Sequence, residues 1–463
     1  MGFVDDLRGS SRLGLLVAAS AATVGVIYGY DQSNIAGALL PLTTEFGLTT
    51  HDQELVATTV VVGQIVGALG GGALADRIGR KPAMLAVALG FGLFSLLSGV
   101  AFSIPVLLAA RFLLGVTVGV SIVVAPVFVA ESAPVKVRGA LLVLYQLATV
   151  VGIIAGYLVA WALAGAGNWR LMLGIAAVPA ALVALMILRL PDTARWYVLR
   201  GRTADARRVL ARLDPAADAD AELAEITAAV TEEKGGRLAE IFRQPWRRAT
   251  VFVVVLGFFI QITGINAIVY YSPRIFASMG FAGDAALLGL PALVQVFGLA
   301  AVLTSLVTVD RFGRRPTLLT GIGIMVVANA LLIVVFLAGS SFGGILTVLG
   351  FVGLVLFTVG FTFGFGSLVW VYAGEAFPAR LRATGASAML TADLVANAIV
   401  AAVFLTMLNG LGGAGTFAVF GVLALAAMLF VYRQAPETKG RRLEEIQGYW
   451  ANDGRWSDAD VSR

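Results

Sequence analysis

The sequence predicts an all-α membrane protein with twelve transmembrane helices. Of its 463 residues, 59% are hydrophobic and only 13% are charged, whereas soluble domains carry about 25% charged residues. Apolar segments of roughly 20 residues, long enough to cross a hydrocarbon core of about 30 Å, recur along the chain. Lipid offers no partners for open backbone hydrogen bonds, and a barrel would need shorter alternating segments, so we expect these segments to be helices.

The predicted spans form two sets of six, separated by one soluble stretch. They cover residues 13–40, 53–75, 82–102, 106–131, 140–164 and 169–191, then 250–277, 284–309, 316–338, 344–373, 384–408 and 413–433. The predicted domains are an N-terminal six-helix bundle (1–191), a cytoplasmic helical linker (192–249), a C-terminal six-helix bundle (250–435) and a cytoplasmic tail (436–463). Two short charged helices are predicted in the linker, Ala204 to Leu213 and Ala221 to Glu233. They either form a solvated connection or brace an inner gate.

Lysine and arginine are concentrated in alternate loops, and this bias predicts that both termini and the linker are cytoplasmic. The net charge of +5 resides in these loops and does not indicate a nucleic-acid partner. Abundant Ala, Gly, Val and Arg suggest a bacterial genome. The predicted location is therefore the bacterial cytoplasmic membrane, with the lipid bilayer as solvent.

Three motifs occur twice, in the same order. They are DRIGRK at 76–81 and DRFGRR at 310–315, ExxPxxxR at 131–138 and 375–382, and PDT at 191–193 and PET at 436–438. Each copy follows the second, fourth or sixth span of its set. This pattern indicates an internal duplication, and two related six-helix halves are typical of transporters that bind substrate near the bilayer midplane.

With these motifs the chain resembles the sugar porters of the major facilitator superfamily over essentially its whole length. Further segments carry the resemblance: GYD at 29–31, RFxxG at 111–115, QxxGINxxxYY at 261–271 and PETKG at 436–440. The resemblance implies the major facilitator superfamily fold, two pseudo-symmetric six-helix bundles, and transport of a sugar.

Asp31 lies inside the first apolar run, where an ionisable side chain is costly and by default marks a functional site. It is either a structural carboxylate bonded to a neighbouring helix or a proton carrier. Arg111 is its predicted partner, because the two lie at depths of roughly 15 and 9 Å, which a long arginine side chain can bridge. Proton-coupled sugar porters are similar at both positions, whereas their passive relatives usually have a neutral residue in place of the aspartate.

Amide side chains inside apolar helices are suited to sugar hydroxyls, since they donate and accept without a charge. Gln261 and Asn266 are five positions apart and are expected on one side of a single helix. Trp370 can stack on the apolar face of a sugar, and tyrosines can close the outer side. For any single amide the alternative is a hydrogen bond between helices. The predicted substrate contacts are Tyr28, Gln146, Gln261, Asn266, Tyr271, Trp370, Asp393 and Asn397.

The chain departs from the family pattern at several of these positions. Ile260 replaces the first of two usual glutamines, and Gly298 stands where an asparagine is usual, with Gln295 one turn earlier. Asp393 stands where an asparagine is common. It could accept hydrogen bonds from hydroxyls, titrate as a second proton site or neutralise a cationic group on an unusual substrate, and we favour the first. A glucose substrate therefore does not follow from the resemblance.

Paired charges at the loop ends of the helices predict a gating network, because bonds between arginine and carboxylates are geometrically demanding. Such a network can hold the cytoplasmic side closed while the site opens outward. The alternative is that these charges only set the topology. The predicted network residues are Asp76, Arg77, Arg80, Glu131, Arg138, Arg195, Asp310, Arg311, Arg314, Glu375, Arg382 and Glu437.

The sequence therefore predicts a secondary active transporter that imports a monosaccharide or polyol with a proton by alternating access. A passive sugar facilitator is the first alternative, a non-transporting nutrient sensor the second, and a drug exporter fits the amides poorly. No residue pattern resembles a catalytic site, so no enzyme activity, metal site or cofactor is expected. The expected partners are the sugar or polyol and protons, and we expect a monomer.

Overall fold

The computed structural model of the protein describes residues 12–132, 138–215, 217–232, 238–338 and 344–456, and every regular element among them is a helix. The chain divides into two compact units, Met1–Glu233 and Lys234–Arg463. Ten helical segments of the described residues are long and apolar enough to cross a membrane. Many of their large apolar side chains remain exposed, as expected for surfaces that face lipid.

The first unit is built on two closely packed helix pairs. Its helices are α1 (Arg12–Phe46), α2 (Thr50–Ile78), α3 (Arg80–Gly99), α4 (Ile104–Ser132), α5 (Arg138–Ala164), α6 (Trp169–Gly174), α7 (Ala177–Leu188), α8 (Ala194–Leu199), α9 (Thr203–Leu213) and α10 (Ala219–Glu232). Helix α1 packs along α5, and α2 packs along α4. A Cβ atom at Gly29 would lie 1.8 Å from the carbonyl oxygen of Thr149 on α5. Only glycine permits this approach, which fixes the position of the α1 residues that follow it.

Helices α8, α9 and α10 pack against each other, and α8 and α9 also contact the membrane helices of the first unit. Ala194, Ala206 and Leu210 form a small apolar cluster between them. Val209 and Leu213 of α9 are buried in the same core cluster as side chains of the membrane helices. The structure therefore places α9 on the bundle itself, which a fully solvated connection would not require.

The second unit has the same order of long helices. Its elements are α11 (Leu238–Ile241), α12 (Arg247–Ile262), α13 (Ile265–Ser278), a π-helix (Ala285–Gly289), α14 (Leu290–Phe312), α15 (Arg314–Leu337), α16 (Ile345–Phe363), α17 (Phe365–Glu375), α18 (Ala379–Gln434) and α19 (Leu443–Ala451). Helix α12 packs along α18, and α15 packs against α16 and α18. Helix α18 covers the last two predicted spans and is interrupted at Gly412, where φ is +67°.

Helices lie at all twelve predicted spans, several of which consist of two shorter helices. The prediction of one continuous seventh helix was wrong. Gly264 has φ of +101° between α12 and α13, and the ring of Phe420 packs on it. Gln261 and Asn266 therefore belong to two different helices.

Candidate functional site

In the first unit, Asp31 and Arg111 form a buried ion pair. Oδ1 of Asp31 on α1 lies 3.3 Å from Nη1 of Arg111 on α4, and the two side chains are 4% and 2% exposed. The Gly29 contact with α5 sets the height of Asp31, and α4 brings Arg111 to it across the bundle. Removing two charges from solvent is costly, and the mutual attraction offsets this only while the pair stays intact.

Tyr28, the predicted tyrosine on the same helix, is half-buried and packs against the apolar core of the first unit. The next aromatic side chain, Tyr30, donates a hydrogen bond from its hydroxyl to the carbonyl oxygen of Met172 at 2.8 Å. Gln146 on α5 is half-buried. The contacts of Tyr28 and Tyr30 fix the part of α1 that directly precedes Asp31.

A second polar cluster lies in the second unit, where α12 and α13 meet α18. Gly257 of α12 faces Met389 of α18. One turn after Gly257, the side-chain amide of Gln261 lies close enough to hydrogen-bond the Asp393 carboxylate. One turn after Asp393, Nδ2 of Asn397 donates to the hydroxyl of Tyr270 at 3.2 Å. The structure therefore brings three predicted substrate residues, Gln261, Asp393 and Asn397, to one stretch of a helix pair.

Tyr271 belongs to the packing of this helix pair. Its side chain is fully buried, its hydroxyl donates to the carbonyl oxygen of Ala401 at 2.7 Å, and its ring stacks on Phe404 with 5.3 Å between centroids. The structure therefore gives Tyr271 a role in holding α13 on α18. Tyr270, beside it, carries the polar contact with Asn397.

Two further predicted substrate residues, Asn266 and Trp370, belong to the second unit. Asn266 is buried on α13, whereas Trp370 on α17 is 45% exposed. At Gly298 on α14, a Cβ atom would lie 3.0 Å from the Thr358 methyl group and 3.7 Å from Oε1 of Gln295. The side-chain oxygen of Gln295, one turn earlier, thus lies next to the space that a side chain at position 298 would occupy.

At the loop ends of the first unit, Glu131 is the centre of a charge network. Its Oε2 lies 3.2 Å from Nε of Arg80 and accepts a 2.6 Å hydrogen bond from the hydroxyl of Thr193. Its Oε1 lies 3.7 Å from Nε of Arg195. Arg80 also pairs with Asp76 at 2.9 Å. The network joins the ends of α2, α3, α4 and α8, and the side chain of Arg138 lies outside the described residues.

The copy of this network in the second unit is less complete. Arg314 pairs with Asp310 at 3.1 Å, as Arg80 pairs with Asp76. Yet Nε of Arg314, Oε2 of Glu375 and Nε of Arg382 are buried without a hydrogen-bond partner among the described residues. The two halves share the motif but differ in which of its contacts are made.

Asp192 and Glu437 cap two equivalent helices. Oδ1 of Asp192 accepts hydrogen bonds from the first two amides of α3, those of Arg80 and Lys81, at 3.0 and 3.2 Å. The two oxygens of Glu437 accept from the amides of Arg314 and Arg315 at 3.0 and 3.1 Å. A carboxylate at a helix N-terminus is favoured by the free amides and by the helix dipole.

A glycine precedes each of these helices, with φ of +109° at Gly79 and +99° at Gly313. A Cβ atom would lie 2.2 Å from Asp192 Oδ2 at Gly79 and 2.5 Å from Glu437 Oε2 at Gly313. The repeated glycine of the DRxGR motif therefore makes room for the capping acid of the PDT or PET motif.

Arg77 and Arg311, the remaining predicted network residues, are exposed. The backbone carbonyl oxygen of Arg77 accepts a hydrogen bond from the Arg200 guanidinium. That of Arg311 accepts one from Nζ of Lys439 at 2.6 Å. Each of these arginines thus lies in the last turn of a helix, where the backbone carbonyl groups accept hydrogen bonds from a cationic side chain. A helix C-terminus favours such a positive charge.

Comparison with known proteins identifies the family. The sequence profile described as sugar (and other) transporter matches residues 17–450. The chain belongs to this transporter family.

Two curated relatives match the transporter over nearly its whole length. The galactose-proton symporter of Escherichia coli (strain K12) is 36% identical over 441 residues, 95% of each chain. The arabinose-proton symporter of the same strain is 34% identical over 447 residues, 96% of this chain and 94% of that protein.

Among solved structures, the chain is similar to the MFS proton:xylose symporter XylE from E. coli, bound to 6-bromo-6-deoxy-D-glucose. The TM-score is 0.79 at 24% sequence identity, and the match covers 95% of this chain and 99% of that chain. The predicted all-α fold of the major facilitator superfamily is confirmed.

Sequence reasoning missed several polar residues of the transporter. Asn34 on α1 and Gln64 on α2 are 1% and 2% exposed, and their amide oxygens have no hydrogen-bond partner among the described residues. The signal was available, because both are amides inside apolar spans, like Gln146. Asp192 was also missed as a network member, although its copy, Glu437, was predicted.

Proposed function

We propose that the protein is a secondary active transporter that imports a monosaccharide or polyol together with a proton by alternating access. The Asp31–Arg111 pair carries this proposal. Ionisable side chains buried inside a membrane protein commonly mark the path of a substrate, an ion or a proton. The two E. coli relatives, a galactose-proton symporter and an arabinose-proton symporter, support the same function.

The pair supplies a simple coupling step. Protonation of Asp31 removes the negative charge that Arg111 faces, so the guanidinium turns to another acceptor and the contact between α1 and α4 weakens. Loss of the proton restores the pair. A group that binds a proton in one arrangement of the helices and releases it in another can link proton movement to substrate movement.

The substrate contacts in this proposal are Tyr28, Gln146, Gln261, Asn266, Trp370, Asp393 and Asn397. Amide groups pair with hydroxyls that both donate and accept. The exposed indole of Trp370 supports a stacking role, and the packing of Tyr271 supports a structural one.

The carboxylate networks are proposed to gate the transporter. Glu131, Arg80 and Arg195 tie four helix ends together, and release of these bonds would free those ends to separate. The unpartnered atoms of Arg314, Glu375 and Arg382 support a second set of contacts that forms in another state of the carrier. In this proposal the other network residues set the geometry of the helix ends.

Transport measurements with the variant Asp31→Asn test proton coupling. In proteoliposomes with an imposed pH gradient, we expect the wild type to accumulate sugar, and D31N to lose accumulation while keeping counterflow exchange. Asp284→Asn, which removes an exposed acid, is the matched control. Undiminished accumulation by D31N would overturn the coupling role. Equal uptake by wild type with and without the gradient would instead favour a passive facilitator.

We also propose that the protein lies in the bacterial cytoplasmic membrane as a monomer, with both termini cytoplasmic. The chain contains no cysteine, so single cysteines report topology without a background. Thr44→Cys is expected to react with an impermeant maleimide in intact cells, whereas Ala211→Cys should react only after the membrane is opened. The reverse pattern would contradict this orientation.

A further inference from the structure

Asp393 is a buried acid without a cationic partner among the described residues. It is 6% exposed, and its neighbouring polar group is the Gln261 amide. This contrasts with Asp31, which has Arg111 beside it. A buried carboxylate that has no counter-charge is expensive, so Asp393 requires either a proton or a cation to balance it.

The groups around Asp393 present an excess of hydrogen-bond acceptors. Oε1 of Gln261 and Oδ1 of Asn397 are both buried and have no hydrogen-bond partner among the described residues. Asn397 is one turn from Asp393 on the same face of α18, and its Nδ2 donates to Tyr270. Buried polar atoms in folded proteins are nearly always paired, so such a group of unpaired acceptors requires an explanation.

We propose that the transported sugar carries a protonated amino group, which binds to Asp393 and the two amide oxygens that flank it. This inference rests on the proposed sugar transport and names the class of sugar. An ammonium group has three donor hydrogens and no acceptor. It therefore has enough donors for the carboxylate and both unpaired oxygens, and it carries a positive charge to balance the acid. A neutral hydroxyl brings one donor and no charge.

The position of Asp393 supports the same substrate class. Gln261 and Asn397, which flank it, are amides, and Asn266 lies on the adjoining helix α13. With the oxygens of Gln261 and Asn397 on the amine, the Asn266 amide is the group that can hold a hydroxyl of the sugar. Hydrogen bonds to charged groups are stronger than those between neutral groups, so the amine would dominate affinity.

The test compares matched hexoses on the purified full-length protein, by equilibrium binding at a pH at which the sugar amine is protonated. The ligands are neutral gluco- and galacto-hexoses, the same sugars with a free amine at C2, C3 or C6, and their N-acetyl forms. We expect at least one free amino sugar to bind about tenfold or more tightly than its neutral parent and its N-acetyl form. This comparison requires no variant.

The variants Asp393→Asn and Asp393→Glu then assign the preference. D393N is expected to remove the tenfold difference, measured as the ratio of the affinities for the amino sugar and its neutral parent within each variant, and D393E to keep a preference for the amine. Wild type that binds neutral sugars better than amino sugars would overturn this inference and leave sugar transport standing, with Asp393 a protonated donor to hydroxyls. An amine preference unchanged in D393N would also overturn it. Binding of none of these sugars would overturn this inference, and sugar transport itself would stand or fall by the accumulation assay.

Discussion

Asp192 and Glu437 occupy equivalent places in the two units, and each carboxylate accepts hydrogen bonds from the first two amides of a helix. The acids differ in length, yet each accepts from the same two positions of its helix. Glu437 uses both of its oxygens, whereas Asp192 uses one. The internal duplication therefore preserves a capping geometry, and the glycine before each helix leaves the space for it.

Removing either capping charge should destabilise the transporter. Asp192→Ala and Glu437→Ala each leave two helix amides without their acceptor, and loss of an N-terminal cap costs about 0.5–2 kcal/mol. Thermal unfolding of the purified protein should show a lower midpoint for each variant, with Asp284→Ala as the exposed control. Midpoints equal to that of the control would show that water replaces the cap without loss.

The two charge networks should respond differently to the loss of their glutamates. Glu131→Gln removes a charge that contacts Arg80, Arg195 and Thr193, and hydrogen bonds to charged groups contribute about 1.5–3 kcal/mol. Glu375→Gln removes a carboxylate with one oxygen already unpartnered. We therefore expect E131Q to lower the unfolding midpoint more than E375Q. The opposite order would mean that the network of the second unit contributes more to stability than that of the first.

The buried pair of Asp31 and Arg111 predicts strong coupling between two substitutions. Arg111→Gln alone leaves an unpaired buried carboxylate, which costs about 3–5 kcal/mol. The double variant D31N/R111Q leaves no charge, so it should be more stable than R111Q. A double-mutant cycle of unfolding free energies measures the coupling, for which contacting residues give about 0.5–3 kcal/mol. Simple additivity of the two changes would contradict a direct ion pair.

Glu45 predicts a stability change with pH. It lies beyond the first predicted span, in the last turn of α1, where Arg170 donates to both its oxygens at 2.9 and 2.8 Å and Nε1 of Trp169 donates at 2.6 Å. The hydrogen bonds from Arg170 and, to a smaller extent, the one from Trp169 lower the pKa of the Glu45 carboxyl below its ordinary value of 4.5.

Because the pKa of Glu45 is lower in the folded state, its contribution is present above pH 4.5 and is lost as the pH falls through the folded pKa. The unfolding midpoint of wild type should exceed that of Glu45→Gln at neutral pH, and this difference should shrink as the pH is lowered below 4.5. The contribution is small, since the pair is exposed and screened. A difference that grows on acidification would have the wrong sign.

Much of the candidate site was predictable, because charged and amide side chains are rare inside apolar helices. Asp31, Gln261 and Asp393 stand out for that reason alone. The same rule would have found Asn34 and Gln64. Tyr271 could not be assigned from the sequence, since a tyrosine that binds a sugar and one that packs under it have the same pattern. The break at Gly264 was also hidden, because glycine is common throughout these helices.

The sequence by itself determined the membrane setting, the helical fold and the twofold repeat, because long apolar segments and duplicated loop motifs are local properties of the chain. Only the tertiary structure decided which polar groups meet. It paired Asp31 with Arg111, set Asp192 and Glu437 on helix ends and left Asp393 beside unpaired amide oxygens. Such contacts join residues far apart in the chain. They depend on how closely two helices approach and at what register, which glycine contacts such as that of Gly29 fix and no short stretch of sequence encodes.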